Sequence, residues 1–234
     1  MRERRDIAGD PATGHHRQRE HTLFVDVDYG MTMDQFQAGD ILAVASKSFI
    51  GMGIRLFSEV DGVACPVNHV AQIIRRKGYL VAAEANFPEF SYTRLTNYLG
   101  AQRRGKVRLT LLRLNNRLWA TNAQKTEAIE WMTDYQLSLE GRSYTWMKLF
   151  PMAMVSMARN LTPLIRGRWQ GIPVPMTRDS TICSATVDFG WYWGQCSTKT
   201  DFFPSSLGGV ASPADILDSP HTQFIAGWRR EKII

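Results

Sequence analysis

Alternating apolar and polar side chains predict β-strands at five places in the first half of the chain. Two of these segments, 68–74 and 79–85, are separated by a short polar turn and form a predicted hairpin. The other three are 22–27, 40–46 and 106–114. Strands in these places, with helical segments at separate places along the chain, predict an α+β domain built on an antiparallel sheet.

The clearest helical pattern covers residues 121–139. Thr121 and, three residues later, Gln124 form a predicted capping box at the start of this helix. Gly141 provides the predicted stop. Apolar side chains at helical spacing form one stripe between the two ends, namely Ala128, Met132, Tyr135 and Leu139.

A second helix is predicted to begin close to Cys183. The polar residues 179–181 are typical N-cap residues, and the segment that follows them is apolar. A thiol at a helix start faces unpaired backbone N–H groups and the positive end of the helix dipole, so its pKa falls and the reactive thiolate is favoured. Cys183 is therefore a candidate nucleophile. The alternative is a small buried residue in a core helix.

The hairpin supplies a candidate base. A turn centred between Lys77 and Gly78 pairs His69 with Asn86, and it makes Glu84 the diagonal neighbour of His69 at about 7–8 Å. A long carboxylate can span that distance and orient the imidazole. A turn of odd length would place Glu84 on the opposite face of the sheet. Asn86 is a rival for the orienting role, and His69 has the alternative of being a hydrogen-bonded core histidine.

These residues belong to a series of short motifs that, in this order, resembles the permuted NlpC-like (papain-like) cysteine hydrolases of the YiiX and YebB type. The resemblance runs from about residue 38 to residue 228 and rests on Gly39-Asp40-Ile41-Leu42, Asn68-His69-Val70, Ala83-Glu84-Ala85, Ile182-Cys183-Ser184 and Ser212-Pro213-Ala214-Asp215-Ile216-Leu217. It implies a circularly permuted papain-like fold, in which the cysteine helix packs on the antiparallel sheet.

The same resemblance implies roles for individual residues. Cys183 would be the nucleophile, His69 the general base and Glu84 the group that orients the imidazole. Tyr144 falls where relatives often carry a tyrosine, so it is a candidate for the substrate pocket together with Asn86. The expected function is a cysteine amidase or endopeptidase that cleaves a peptide or a peptidoglycan stem peptide. Two alternatives are an acyltransferase or thioesterase on lipids and an attachment component of a viral or phage assembly.

Composition adds limits to this interpretation. The cysteines Cys65, Cys183 and Cys196 are odd in number, which favours a free thiol over a disulfide-stapled scaffold. No spacing of Cys and His matches a zinc site, and we expect no metal and no cofactor. The net charge of +6 would suit an anionic partner, but the basic residues are dispersed. No specific nucleic-acid partner is predicted.

Two segments bear on the bounds of the domain and on its location, namely residues 1–21 and the apolar run 149–158. Residues 1–21 are strongly charged and nearly lack large apolar side chains, so we expect a flexible tail that could contact an anionic surface or a larger assembly, followed by one domain over 22–234. The tail has no apolar signal-peptide core, so a cytoplasmic or assembly-associated location is expected. The apolar run 149–158 is too short to span a bilayer.

Overall fold

The computed structural model describes residues 24–46, 67–86, 88–143, 183–204 and 211–232. Several of the predicted features lie outside these residues: the tail 1–21, Cys65, Tyr144 and the apolar run 149–158. Within the described residues, no helix has the length and apolar character needed to cross a membrane.

The described residues form an antiparallel sheet of seven strands flanked by helices. The strands are β1 (Phe24–Asp28), β2 (Ile41–Ser46), β3 (His69–Arg76), β4 (Tyr79–Ala85), β5 (Phe90–Arg94), β6 (Val107–Leu114) and β7 (Thr222–Lys232). In space, the strand order is β1-β7-β6-β2-β3-β4-β5, and every pairing is antiparallel. The five predicted strands are all present, whereas β5 and β7 were not predicted.

The α-helices in the described part of the chain are α1 (Leu95–Arg103), α2 (Asn122–Ser138), α3 (Cys183–Gly190), α4 (Tyr192–Thr198) and α5 (Pro213–Leu217). They divide unequally between the two faces of the sheet. A larger hydrophobic cluster joins one face to α2, α3, α4 and α5. A smaller cluster joins the other face to α1. Helices packed on an antiparallel sheet confirm the α+β class.

Side chains along β3 alternate between these two clusters. Val70 and Ile74 pack in the larger cluster, and Ala71 and Ile73 pack in the smaller one. All four are fully buried, as expected for a central strand that is covered on both faces. The strand begins at His69, so the first side chain of β3 lies at the end of the sheet.

The turn between β3 and β4 sets the register of the candidate site. Lys77 and Gly78 both have positive φ angles, 49° and 85°, which is the conformation of a two-residue type I′ turn. The strands consequently pair Arg76 with Tyr79 and Gln72 with Ala83. This is the predicted register, and its continuation aligns His69 with Asn86.

The predicted helix 121–139 is observed as α2, and one detail of its start differs. Thr121 accepts a hydrogen bond from the backbone N–H of Gln124 at 3.1 Å. The Gln124 side chain, however, accepts from the backbone of Ala120 at 2.9 Å and not from that of Thr121. The reciprocal bond of the predicted capping box is therefore displaced by one residue, because the Gln124 side chain reaches beyond the cap.

A buried ion pair connects β6 to the residue before β2. The guanidinium of Arg113 binds both carboxylate oxygens of Asp40, with Nε at 2.6 Å from Oδ1 and Nη2 at 2.9 Å from Oδ2. Nη2 also donates to the backbone oxygen of Gln35 at 2.9 Å. The backbone N–H of Gln37 donates to Oδ2 at 2.7 Å. Each oxygen of the buried carboxylate thus has a partner.

Candidate active site

Three secondary-structure elements bring the candidate catalytic residues together. His69 is the first residue of β3, Glu84 lies near the end of β4, and the described part of α3 begins with Cys183. Helix α3 packs against both strands, as predicted for the cysteine helix. The start of β3, the end of β4 and the described start of α3 therefore meet at one end of the sheet, and all three side chains lie there.

Asn68 fixes the backbone immediately before the histidine. Its side-chain amide donates to the backbone oxygen of Ser46 at 2.8 Å, and its Oδ1 accepts from the backbone N–H of Ser46 at 3.1 Å. Asn68 is buried, and its own N–H donates to the backbone oxygen of Val44 at 3.0 Å. These bonds attach the start of β3 to the end of β2, which holds His69 in place.

The imidazole and the carboxylate make direct contact. Nε2 of His69 lies 2.7 Å from Oε2 of Glu84, and the exposed fractions of the two side chains are 18% and 1%. An ionised carboxylate only accepts hydrogen bonds, so the proton between them belongs to Nε2. Burial opposes the charge on Glu84, but the hydrogen bond and the charge of His69 hold the pKa of Glu84 below its usual value.

The thiol of Cys183 interacts with the same imidazole. Burial alone would raise the pKa of the thiol, but a hydrogen bond with His69 and the positive charge of the ring lower it. The backbone N–H groups of Val70 and Ser184 lower the pKa further. Because Nε2 of His69 is engaged by Glu84, we assign the bond with the sulfur to Nδ1.

The same contacts determine the charge of the imidazole. Burial disfavours the charged ring, but the hydrogen bonds with Cys183 and Glu84 raise the pKa of His69 to about 10. A lowered thiol pKa beside a raised imidazole pKa favours a thiolate–imidazolium pair at neutral pH. This pair is the reactive form of a nucleophilic cysteine.

The structure adds a residue that was not predicted. The hydroxyl of Tyr98, on α1, donates a short hydrogen bond to Oε2 of Glu84, the same oxygen that contacts His69. Thr93 on β5 is close enough to lower the pKa of the carboxylate, yet Oε1 has no hydrogen-bond partner of ordinary geometry among the described residues. No local pattern could have identified Tyr98, because its position depends on how α1 folds back after β5.

Two other predicted site residues have different outcomes. Asn86 follows the end of β4, and no hydrogen bond among the described residues joins it to His69, whose Nε2 contacts Glu84. Tyr144 lies outside the described residues. Of the other cysteines, Cys196 is exposed on α4 and Cys65 lies outside the described residues.

Comparison with known proteins identifies the fold. No protein-family model and no curated protein matches the chain. Among solved structures, the chain is similar to the crystal structure of metalloprotein YiiX from Escherichia coli O157:H7, DUF1105. The TM-score is 0.53 at 16% sequence identity, and the match covers 82% of this chain and 98% of that chain. The chain has a YiiX-like fold.

Proposed function

We propose that the protein is a cysteine hydrolase that cleaves an amide bond through an acyl-enzyme. The observation that carries this proposal is the contact of 2.7 Å between Nε2 of His69 and Oε2 of Glu84, on an imidazole that also interacts with the thiol of Cys183. A nucleophile, a base and a group that orients the base are the three parts that covalent catalysis requires.

In the first half of the reaction, the thiolate of Cys183 attacks the carbonyl carbon and a C–S bond forms. The backbone N–H of Cys183, at the described start of α3, is the proposed donor to the developing oxyanion. The imidazolium of His69 then gives its proton to the amide nitrogen as the C–N bond breaks. An amine leaves, and a thioester remains on Cys183.

In the second half, neutral His69 removes a proton from a water molecule, whose oxygen attacks the thioester carbonyl. The C–S bond breaks, the carboxylic acid product leaves, and the thiolate–imidazolium pair is restored. Glu84 remains ionised throughout: it holds the imidazole by Nε2, so that the other ring nitrogen faces the sulfur, and it stabilises the positive charge of the ring.

We propose assignment to the permuted NlpC-like, papain-like cysteine hydrolases, which the short sequence motifs resemble; the structural neighbour itself shows a YiiX-like fold. The order of the site residues along the chain agrees, because His69 and Glu84 precede Cys183, opposite to the order in papain. We propose a peptide or a peptidoglycan stem peptide as the substrate. Such a substrate presents the amide carbonyl on which the thiolate chemistry acts.

YiiX is described as a metalloprotein, so the fit of a metal to this site needs testing. Glu84 occupies Nε2 of His69, so only the sulfur and one ring nitrogen would face a metal at this place. The described residues contain no group of three or more His, Cys, Asp or Glu side chains that could hold a metal ion. The described donor set therefore does not fit a resident metal, and no step is assigned to one.

The test compares two substrates. The purified protein is incubated with peptidoglycan and, separately, with phospholipid vesicles, and new amines and free fatty acids are quantified. We expect new amines from peptidoglycan, with loss of at least about a thousandfold in Cys183→Ala and His69→Ala. Cys196→Ala is the matched control, because Cys196 is an exposed cysteine on α4, and it should retain full activity.

Other outcomes would contradict parts of the proposal. Release of fatty acid without release of amines would reassign the protein to the acyltransferases or thioesterases, which use the same pair of residues. Amine release that persists in Cys183→Ala would exclude Cys183 as the nucleophile. The absence of both products, with an unreactive Cys183, would favour a structural component.

A further inference from the structure

Tyr98 contacts Glu84 from the face of the sheet opposite to the cysteine helix α3. It lies on α1, which packs with the smaller hydrophobic cluster, whereas Cys183 lies on α3 in the larger cluster. The hydroxyl of Tyr98 reaches Oε2 of Glu84. A chain of hydrogen bonds therefore runs from α1 through Glu84 and His69 to Cys183, and it joins the two helical layers through the end of the sheet.

The surroundings of Glu84 show why a second donor matters. The side chain is 1% exposed, and a buried carboxylate is costly unless it is hydrogen-bonded. Oε2 accepts from both His69 and Tyr98, whereas Oε1 has no partner of ordinary geometry among the described residues. Removal of the Tyr98 hydroxyl would leave His69 as the one firm hydrogen-bond donor to this carboxylate within the described part of the chain.

Tyr98 is suited to act only as a donor. Burial raises the pKa of its hydroxyl far above the usual value, and the negative charges of Glu84 and Cys183 raise it further. The phenol therefore keeps its proton at every pH at which the enzyme would work. Its ring packs against the smaller hydrophobic cluster, which also contains Leu95 and Leu99 from the same helix, so the position of the hydroxyl is fixed by the core.

We infer that Tyr98 is a positioning residue that holds the carboxylate of Glu84 in the ionised, correctly aimed state that His69 requires. This inference rests on the proposed function of Cys183 and His69. Tyr98 would act through Glu84 and would not touch the reacting atoms. The titratable groups that bear on Glu84 are His69 on β3 and Tyr98 on α1, and Cys183 on α3 bears on both of them.

The test is Tyr98→Phe, which removes the hydroxyl and keeps the ring. Tyr92→Phe is the matched control: Tyr92 is also partly buried, and its hydroxyl donates to the backbone oxygen of Gln136 at 3.2 Å and not to Glu84. The rate of iodoacetamide labelling of Cys183 is measured against pH in the full-length protein, with each cysteine peptide quantified by mass spectrometry.

The expected result is a shift in one variant only. Without the Tyr98 donor, the pKa of Glu84 rises, the imidazolium is less stabilised, and the thiolate of Cys183 forms at higher pH. Since a hydrogen bond to a charged group is worth roughly tenfold or more in an equilibrium constant, we expect the labelling midpoint of Cys183 to rise by about one pH unit. Tyr92→Phe should follow the wild-type curve.

A double variant keeps the inference testable even if Tyr98→Phe is destabilised. If Tyr98 acts through Glu84, adding Tyr98→Phe to Glu84→Gln should slow Cys183 no further than Glu84→Gln alone. A wild-type curve in Tyr98→Phe, or a full additional loss in the double variant, would overturn the positioning role. An ordinary thiol titration in the wild-type protein would instead overturn the proposed function, and the role of Tyr98 with it.

Discussion

Two buried ion pairs with the same degree of exposure lie at different places on the sheet. In the Arg113–Asp40 pair, the cation is 18% exposed and the carboxylate 1%. In the His69–Glu84 pair, the values are also 18% and 1%. Both join a strand of the sheet to a neighbouring segment. Exposure therefore cannot distinguish the two pairs, although among the described residues the His69–Glu84 pair alone interacts with a cysteine.

The hydrogen bonds separate the two pairs. Arg113 binds both oxygens of Asp40, and this contact raises the pKa of the guanidinium above its already high value. The guanidinium cannot lose its proton near neutral pH, although burial raises the pKa of Asp40 above its usual value. His69 binds a single oxygen of Glu84 and carries a proton that it can lose. Its other partner is a thiol whose pKa the same ring lowers.

Two features mark the candidate site: a cation that can lose its proton and a nucleophile beside it. A buried pair whose cation cannot lose its proton, and whose carboxylate oxygens both have partners, is suited to a structural role. A buried pair whose cation can titrate, and whose second ring nitrogen faces a nucleophile, can move a proton. The two carboxylates also differ in their hydrogen bonds. Oε1 of Glu84 has no hydrogen-bond partner of ordinary geometry among the described residues, whereas both oxygens of Asp40 have partners.

The largest expected effect concerns the structural pair. Arg113→Met leaves the carboxylate of Asp40 buried without its cation, so we expect a loss of about 3–5 kcal/mol in the free energy of unfolding. Denaturant melts of the two proteins would measure this difference. In the folded fraction, the labelling rate of Cys183 should be unchanged, because no hydrogen bond joins this pair to the imidazole among the described residues.

Arg117→Met is the control for the loss of an arginine, because Arg117 is exposed and its side chain belongs to no ion pair within the described ranges. It should leave stability nearly unchanged. If Arg113→Met destabilised no more than this control, or slowed the labelling of folded Cys183, the separation of a structural pair from a catalytic pair would be wrong.

The second prediction weakens the catalytic pair. Glu84→Gln should reduce kcat by roughly 100-fold, or about 2.7 kcal/mol, and leave residual turnover, because the amide oxygen can still orient the imidazole but carries no charge. Steady-state kinetics on the cleaved substrate would measure it. Glu130→Gln is the matched control, because Glu130 is an exposed carboxylate on α2. Full activity in Glu84→Ala would transfer the orienting role to Asn86 or another residue.

The sequence was most informative where local rules determine the structure. A turn centred between Lys77 and Gly78 gave the predicted register that brings Glu84 close to His69, and the structure has this turn, with positive φ at both residues. The helix 121–139 was recognisable from its spacing, and three of its stripe residues, Ala128, Met132 and Leu139, are buried.

Features that depend on distant contacts were not predictable. Strand β7 lies between β1 and β6, and its place in the sheet follows from pairing with residues far away in the chain. Tyr98 and the pairing of Arg113 with Asp40 are similar cases, since each requires the packing of elements that no local pattern joins. The sequence therefore indicated the candidate catalytic residues but not Tyr98, which contacts Glu84.

The central claim is that His69 lowers the pKa of Cys183 and thereby creates a thiolate at neutral pH. The most direct measurement is the pH dependence of iodoacetamide labelling at Cys65, Cys183 and Cys196, in the wild-type protein and in His69→Ala. We expect Cys183 to react fastest of the three near neutral pH, with a midpoint below the usual range of a thiol, because the imidazolium favours the thiolate.

In the same wild-type protein, kcat/KM should rise as Cys183 loses its proton and fall as the pH passes about 10, where His69 loses its own. In His69→Ala, the labelling midpoint of Cys183 should move to higher pH. A midpoint for Cys183 that lies in the usual thiol range and does not move in His69→Ala would contradict the account.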